Sequence, residues 1–167
     1  VGSEMCIRDR IRLLKEAKKH RLHTAIETCG YASYEVLKEA INYLDVIFFD
    51  IKSMNDEKHK RYTGKSNQII LDNFKQIVQD AKTTKITART PVIPGFNDTV
   101  EELEEIQRFV AKGKNVSYEM LPYHRFGKGK YEMLGRTYPM GDVLLSEEIK
   151  TYIQKQNEKW RKKECQS

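Results

Sequence analysis

Four short apolar segments alternate along the chain with longer amphipathic segments, and this alternation restricts the possible folds more than any other feature. The most apolar of the four is the run "VIFF" at residues 46–49. Strands that alternate with helices pair in parallel through right-handed crossovers. The pattern therefore predicts an α/β fold in which one helix is followed by four parallel strand–helix units.

The predicted elements follow from periodicity and from turn or capping residues. Strands are predicted at residues 23–28, 46–50, 86–92 and 116–121. Helices are predicted at residues 11–20 and 55–62, after Ser33, from Asn67 or Asp72, and after Thr99 and Ser146, which cap their helices. A loop of glycines and lysines is predicted after the fourth strand.

Composition excludes several classes of protein. The chain has 167 residues, of which 39% are hydrophobic and 32% charged, as in a single globular domain. Its apolar stretches are too short to span a membrane. The three cysteines, Cys6, Cys29 and Cys165, are far apart and odd in number. They argue against a disulfide framework and for a reducing cytoplasm.

The net charge of +6 is spread thinly along the chain. The nearest approach to a basic cluster surrounds Trp160 and comprises Lys155, Lys159, Arg161, Lys162 and Lys163. A solvated last helix explains this tail better than a nucleic-acid contact does. We therefore expect neither nucleic acid nor a membrane as a partner, whereas an anionic ligand or an acidic protein stays compatible with the charge.

The first ten residues, "VGSEMCIRDR", have neither helical nor strand periodicity and do not form a signal peptide. One back-translation of them resembles a transposon-end adapter used to prepare sequencing libraries. We therefore expect residues 1–10 to be adapter-derived and Cys6 not to be native.

Charged and polar residues collect at the carboxyl ends of the predicted strands, which lie along one edge of a parallel sheet. In strand order, the residues at these ends are Glu27 and Thr28, then Asp50, Ile51 and Lys52, then Arg89, then Glu119 and His124. The side chains at 50 and 52 leave their strand on the same face. A zwitterionic ligand suits this edge, because the cations match a carboxylate and the acids match an amine, a hydroxyl or a cation.

Structural interpretations of the same residues stay open at this point. Asp50 and Lys52 can form an exposed salt bridge of little energetic value, Arg89 can pair with a nearby acid, and His124 can be a surface residue. No GxGxxG or GxxxxGK[ST] phosphate loop, serine elbow or HExxH pair is present, and "GKGK" at 127–130 is too short for a phosphate loop. The residues alone favour a ligand site without identifying the ligand.

Four motifs together carry a family resemblance. They are "HTAIETCGY", "DVIFFDIKSMNDEKHKRYTGKSN", "RTPVIPGFNDT" and "LPYHRFGKGKYEMLG". In this order and spacing, across residues 11–145, the chain resembles the glycyl-radical-enzyme activating enzymes. These are radical S-adenosylmethionine proteins typified by pyruvate formate-lyase activase.

The resemblance implies a partial (β/α)6 barrel, of which this chain would supply about four of the six units. It implies that the full-length parent is an oxidoreductase in which a [4Fe-4S] cluster cleaves S-adenosylmethionine reductively. The resulting 5′-deoxyadenosyl radical then takes a hydrogen from a backbone glycine of a partner glycyl-radical enzyme. Flavodoxin or ferredoxin is the implied reductant, in an anaerobic bacterial cytoplasm.

The same resemblance assigns site residues. The residues implied to bind S-adenosylmethionine are Asp50, Ile51, Lys52, Arg89, His124 and Thr28. Glu27 stands where the family has an aspartate near a monovalent cation, and no role follows for Cys29. The segment "RFGKGKY" lies at the mouth through which the partner's glycine loop would enter.

The family's CxxxCxxC loop and its glycine-glycine-glutamate segment have no counterpart in this sequence. A cluster of this kind needs three thiolates, and without Cys6 the chain has only Cys29 and Cys165. We therefore expect residues 11–167 to be the C-terminal part of a radical S-adenosylmethionine domain that is inactive by itself and holds no catalytic residue.

Two other functions stay open. One is a radical S-adenosylmethionine enzyme with a different substrate, against which "YTGKSN" and "LPYHRFGKGKYEMLG" argue. The other is a non-catalytic module that binds a partner without chemistry.

Overall fold

The protein is described here by a computed structural model that covers residues 7–164, without the side chains of residues 7, 8 and 164. The predictions for Cys6, for Cys165 and for most of residues 1–10 therefore fall outside the described residues. Within the described range, no helix is both long enough and apolar enough to cross a membrane.

Helices and strands alternate along the described chain as the sequence predicts. In chain order they are α1 (Ile7–Lys19), β1 (Ala25–Thr28), α2 (Tyr34–Ile41), β2 (Val46–Asp50), α3 (Asp56–Thr63), α4 (Gln68–Asp80), β3 (Lys85–Val92), α5 (Val100–Val110), β4 (Val116–Pro122), a 3-10 turn (Arg125–Gly127), α6 (Lys128–Met133) and α7 (Glu147–Glu164).

The four strands form one parallel sheet in the order β1-β2-β3-β4, so the predicted α/β class and parallel pairing are confirmed. The register places Asp50 of β2 beside Arg89 of β3, and Arg89 beside Glu119 of β4. Because paired residues in a sheet point to the same face, these three side chains share one face.

The opposite face of the sheet carries the hydrophobic core. Its strand residues include Ile47, Phe49, Ala88 and Met120, which are buried together with residues of α2, α4 and α5. The ring of Phe49 lies 5.3 Å from that of Phe74 on α4. The helices therefore pack on one face, which leaves the charged residues on the other.

Local capping explains several helix boundaries. The side chain of Asn55 accepts a hydrogen bond from the backbone N–H of Lys58 at the start of α3, and Gly64 ends that helix with a φ of 74°. The predicted caps of α5 and α7 are confirmed, since Thr99 accepts from the N–H of Glu102 and Ser146 from that of Ile149.

Three predicted boundaries or elements are wrong. The first helix begins at Ile7 rather than at residue 11, and β1 begins at Ala25 rather than at residue 23. The segment after β4, predicted as a loop, contains the short helix α6 with the sequence "KGKYEM". Glycine disfavours a helix interior, and the signal of so short a helix is weak.

At Met120, the backbone on the edge of the sheet at β4 is hydrogen-bonded by a side chain. Asn157 of α7 accepts a hydrogen bond from the N–H of Met120 at 2.9 Å and donates one to its C=O at 2.9 Å. The carboxamide thus takes the place of a neighbouring strand at this residue, which covers one pairing position of the sheet edge.

Candidate functional site

The charged face of the sheet carries a connected group of side chains, which we call the charge cluster and define as Glu27, Asp50, Lys52 and Arg89. Arg89 Nη1 donates to Glu27 Oε1 at 3.0 Å, and Arg89 Nη2 lies 3.6 Å from Asp50 Oδ1. Lys52 Nζ donates to Asp50 Oδ2 at 3.1 Å. Three of the four predicted strand ends therefore meet through direct charge contacts.

Arg89 is the centre of the charge cluster and its most enclosed member. Its side chain is 14% exposed, against 23% for Asp50 and 69% for Glu27. The guanidinium carbon lies 4.7 Å from the ring centre of Phe48, within the range of a cation–π contact. The hydrogen bond and the positive charge of Arg89 lower the pKa of Glu27 below its ordinary value.

Two polar atoms of the charge cluster are buried without a hydrogen-bond partner among the described residues. They are Asp50 Oδ1 and Arg89 Nε. Buried polar atoms in folded proteins are nearly always hydrogen-bonded to protein, water or a ligand. One of these atoms is an acceptor and the other a donor, so together they suit a molecule that carries both kinds of group.

Ile51 lies between two members of the charge cluster but faces the core. Its side chain is fully buried. Its N–H donates to the carbonyl of Arg89 at 2.9 Å, and its C=O accepts from the hydroxyl of Thr90 at 2.8 Å. The structure therefore directs the side chains of Asp50 and Lys52, but not that of Ile51, towards the site.

Thr28 and His124 lie near the carboxyl ends of β1 and β4 without joining the charge cluster in the described part of the chain. The hydroxyl of Thr28 accepts from the N–H of Gly30 at 3.0 Å. The exposed ring of His124 packs on Phe126, with centroids 4.2 Å apart, and its Nδ1 accepts from the N–H of Phe126 at 3.4 Å. The predicted roles of both residues stay predictions.

Glu119 also lies on the charged face, in register with Arg89. One of its carboxylate oxygens is 3.8 Å from Arg161 Nη2 of α7. This acid therefore links the site to the last helix.

The predicted monovalent-cation site at Glu27 also stays a prediction. One of its carboxylate oxygens is already engaged by Arg89. In the range 7–164, no group of three His, Cys, Asp or Glu side chains is placed to hold a metal ion.

Sequence patterns do not identify the buried residues that fix the backbone next to the charge cluster. Thr90, Asn97 and Asn67 are buried and donate hydrogen bonds to the backbone that follows Asp50. The motif "PGFND" signals a turn, and an asparagine in a turn signals nothing about a contact with a distant strand. Only spatial proximity identifies these three residues.

Comparison with known proteins identifies related sequences. The sequence profile of the radical SAM superfamily matches residues 2–110. The chain is 47% identical over 143 residues to an isethionate sulfite-lyase activating enzyme of Oleidesulfovibrio alaskensis, a match that covers 86% of this chain and 46% of the relative. It is 43% identical over 137 residues to a (2S)-3-sulfopropanediol sulfolyase activating enzyme of Bilophila wadsworthia, with 82% of this chain and 45% of the relative covered.

A solved structure shows the same fold. It is a domain of a pyruvate-formate lyase-activating enzyme from Bacteroides vulgatus, which superposes with a TM-score of 0.73 at 21% identity. The match covers 96% of this chain and 91% of that domain. The chain spans about half the length of the two sequence relatives above.

Proposed function

Because the chain belongs to the radical SAM superfamily, we propose that it is part of an activating enzyme that generates a glycyl radical on a partner glycyl-radical enzyme. Two relatives above 40% identity are named as activating enzymes for two different lyases, which supports this reading over a radical SAM enzyme of another kind. Since about half of each relative is covered, the activity belongs to the whole parent protein.

The ligand proposed for this chain is S-adenosylmethionine. When bound and reduced in the parent, this cofactor supplies the radical that removes a hydrogen from the partner's glycine. The observation that carries the proposal is the pair of buried atoms in the charge cluster that lack a hydrogen-bond partner among the described residues. Asp50 Oδ1 can accept from an ammonium or a ribose hydroxyl, and Arg89 Nε can donate to a carboxylate.

Each member of the charge cluster has a distinct binding task in this proposal. Arg89 orients the acidic side chains and offers its buried Nε–H to the ligand. Lys52 holds one oxygen of Asp50, so that the other oxygen is presented to the ligand in a fixed direction. Thr28 and His124 complete the pocket at the neighbouring strand ends, and Glu27 offers its free oxygen to a monovalent cation. Ile51, which the resemblance also assigns to the ligand, takes no direct part, because its side chain faces the core and its N–H and C=O are both bonded within the protein.

The described residues do not fit a [4Fe-4S] cluster, because no set of three candidate ligands exists within 7–164. We propose the cluster for the full-length parent and derive no step through it on this chain. Flavodoxin or ferredoxin as reductant, and the cytoplasm as location, belong to the same proposal.

The binding proposal is tested by titrating the 167-residue chain with S-adenosylmethionine in a calorimeter. Lys52→Met removes a charge-assisted hydrogen bond, worth roughly 1.5–3 kcal/mol, and should weaken binding about tenfold or more. Lys58→Met is the matched control, because Lys58 is similarly enclosed, at 31% against 27% exposed, but pairs with Glu102 on α5. The proposal fails if the unchanged chain does not bind, or if both variants bind equally.

The activating-enzyme proposal has a separate test at the gene. The genomic DNA upstream of Ile11 is sequenced and translated in frame. A CxxxCxxC loop in that reading frame supports the proposal. A start codon in frame without a cysteine loop overturns it in favour of a non-catalytic module.

A further inference from the structure

Three consecutive backbone carbonyls follow β2, and each accepts a hydrogen bond from a different buried side chain elsewhere in the chain. The C=O of Ile51 accepts from Thr90 Oγ1 at 2.8 Å. The carbonyls of Lys52 and Ser53 accept from the carboxamides of Asn97 at 2.7 Å and Asn67 at 2.8 Å. The segment that carries Lys52 is therefore fixed although it has left the sheet.

Asn97 makes the most extensive of these contacts. Its Nδ2 donates to the carbonyls of Lys52 at 2.7 Å and Pro91 at 2.9 Å, and its Oδ1 accepts from the N–H of Ile93 at 2.7 Å. The side chain is fully buried. Two carbonyls and one N–H around it admit a single orientation of the carboxamide, with the nitrogen towards the carbonyls.

The hydrogen bonds of Asn97 to Lys52 and Pro91 lie just beyond the paired part of β2 and β3. The paired register of β2 and β3 ends at Asp50 and Arg89. Lys52 and Pro91 lie two positions beyond Asp50 and Arg89, and Lys52 is already outside β2. Asn97 thus bridges the two backbones where direct pairing has stopped, and so sets how far they separate beside the charge cluster.

We infer that Asn97 is a positioning residue that holds Lys52 at the distance from β3 at which it engages Asp50. This inference rests on the proposed binding site, since the purpose of the placement is to present the charge cluster to the ligand. Asn97 acts through the backbone C=O of Lys52. Among the described residues, its side chain hydrogen-bonds to backbone groups and not to a side chain of the charge cluster. Its effect is therefore on geometry and not on charge.

Asn97→Asp is the informative variant. It keeps the acceptor for the N–H of Ile93 and replaces the nitrogen by an oxygen of similar size, which cannot donate to the two carbonyls. The matched control is Thr84→Val. Thr84 is also buried and its hydroxyl bonds two carbonyls, those of Ile41 and Leu44, at the opposite end of the sheet.

Two measurements on the 167-residue chain test the positioning role of Asn97. Hydrogen–deuterium exchange followed by mass spectrometry reports on peptides that cover residues 50–53 and 91–97. Asn97→Asp should exchange there about tenfold faster than the unchanged chain, whereas Thr84→Val should not. Calorimetric titration should show that S-adenosylmethionine binds Asn97→Asp at least about tenfold more weakly than it binds Thr84→Val.

Each outcome has a fixed meaning. Unchanged exchange at residues 50–53, or undiminished affinity in Asn97→Asp, overturns the inference. If the unchanged chain binds no S-adenosylmethionine, the proposed function fails, and the exchange comparison alone judges the positioning role. If Asn97→Asp shows no cooperative unfolding transition, Asn97→Ala takes its place, because alanine removes the donor without adding a charge.

Discussion

Replacing Gly30 with alanine should destabilise the fold through a collision at the end of β1. Gly30 has a φ of +68°, and an ideal Cβ at this position would lie 2.3 Å from Cζ and 2.5 Å from Cε2 of Phe49. Phe49 is fully buried and its ring packs against Phe74. The phenyl ring therefore has no open space into which it can withdraw.

The expected loss has two parts of known size. A left-handed backbone costs an alanine roughly 1–2 kcal/mol, and overpacking of a dense core costs typically about 1–3 kcal/mol. Gly30→Ala should therefore lower the free energy of unfolding by roughly 2–5 kcal/mol. Gly64→Ala provides the control, since Gly64 has a φ of +74° but no described atom within 4 Å of its Cβ position, and it should lose only the first part.

The assay is urea unfolding of the two variants and the unchanged chain, followed by circular dichroism. The urea midpoint of Gly30→Ala should fall further than that of Gly64→Ala, and the slopes of the two transitions should be similar. A second substitution, Phe49→Leu, should cost less in the Gly30→Ala background than alone, because it removes the collision. Equal losses for the two glycine variants, or strictly additive losses for the pair, would refute the steric argument.

Two further predictions concern an acid and the edge of the sheet. Hydrogen bonds from Lys60 and Ser66 lower the pKa of Asp56 from 3.8 to about 2. The ionised carboxylate therefore contributes fully to stability above its unfolded-state pKa. This contribution is lost as the pH falls through the folded-state pKa. Asp56→Asn should therefore be less stable than the unchanged chain at pH 7. Urea unfolding at successive pH values should show that the difference in free energy of unfolding between the two proteins becomes smaller between pH 4 and pH 2. A difference that does not change with pH would contradict this. Asn157→Ala leaves the N–H and C=O of Met120 without their partner and should cost roughly 1–3 kcal/mol, with faster exchange of the Met120 amide. Unchanged exchange at that amide would show that the carboxamide does not protect the edge.

Patterns along the chain predict most of the fold because they record local physics. The bounds of β2 (Val46–Asp50) are predicted correctly, because a short continuous apolar segment bounded by charged residues is typical of a buried strand. The start of α5 is predicted from Thr99, whose hydroxyl satisfies a free N–H wherever the helix packs. The extension of α1 to Ile7 and the short helix α6 are missed, because neither carries a sufficient periodic signal.

The sequence predicts which residues form the candidate site better than it predicts which of them contact each other. Parallel pairing brings the ends of β1, β2 and β3 together, so Glu27, Asp50 and Arg89 are expected near each other. Which acid Arg89 engages more closely is not a property of strand order. The structure pairs it at 3.0 Å with Glu27 and leaves 3.6 Å to Asp50.

The sequence by itself determines the fold class, the succession of strands and helices along the chain, and the family, because periodicity, capping and motif order are properties of neighbouring residues. The tertiary structure alone decides which buried side chains hold the site. Asn97 and Lys52 are 45 residues apart in the chain, yet they share a hydrogen bond of 2.7 Å. A carboxamide satisfies whichever backbone groups surround it once the chain has folded, and that environment is set by the packing of β2 against β3, not by the residues beside Asn97 in the sequence.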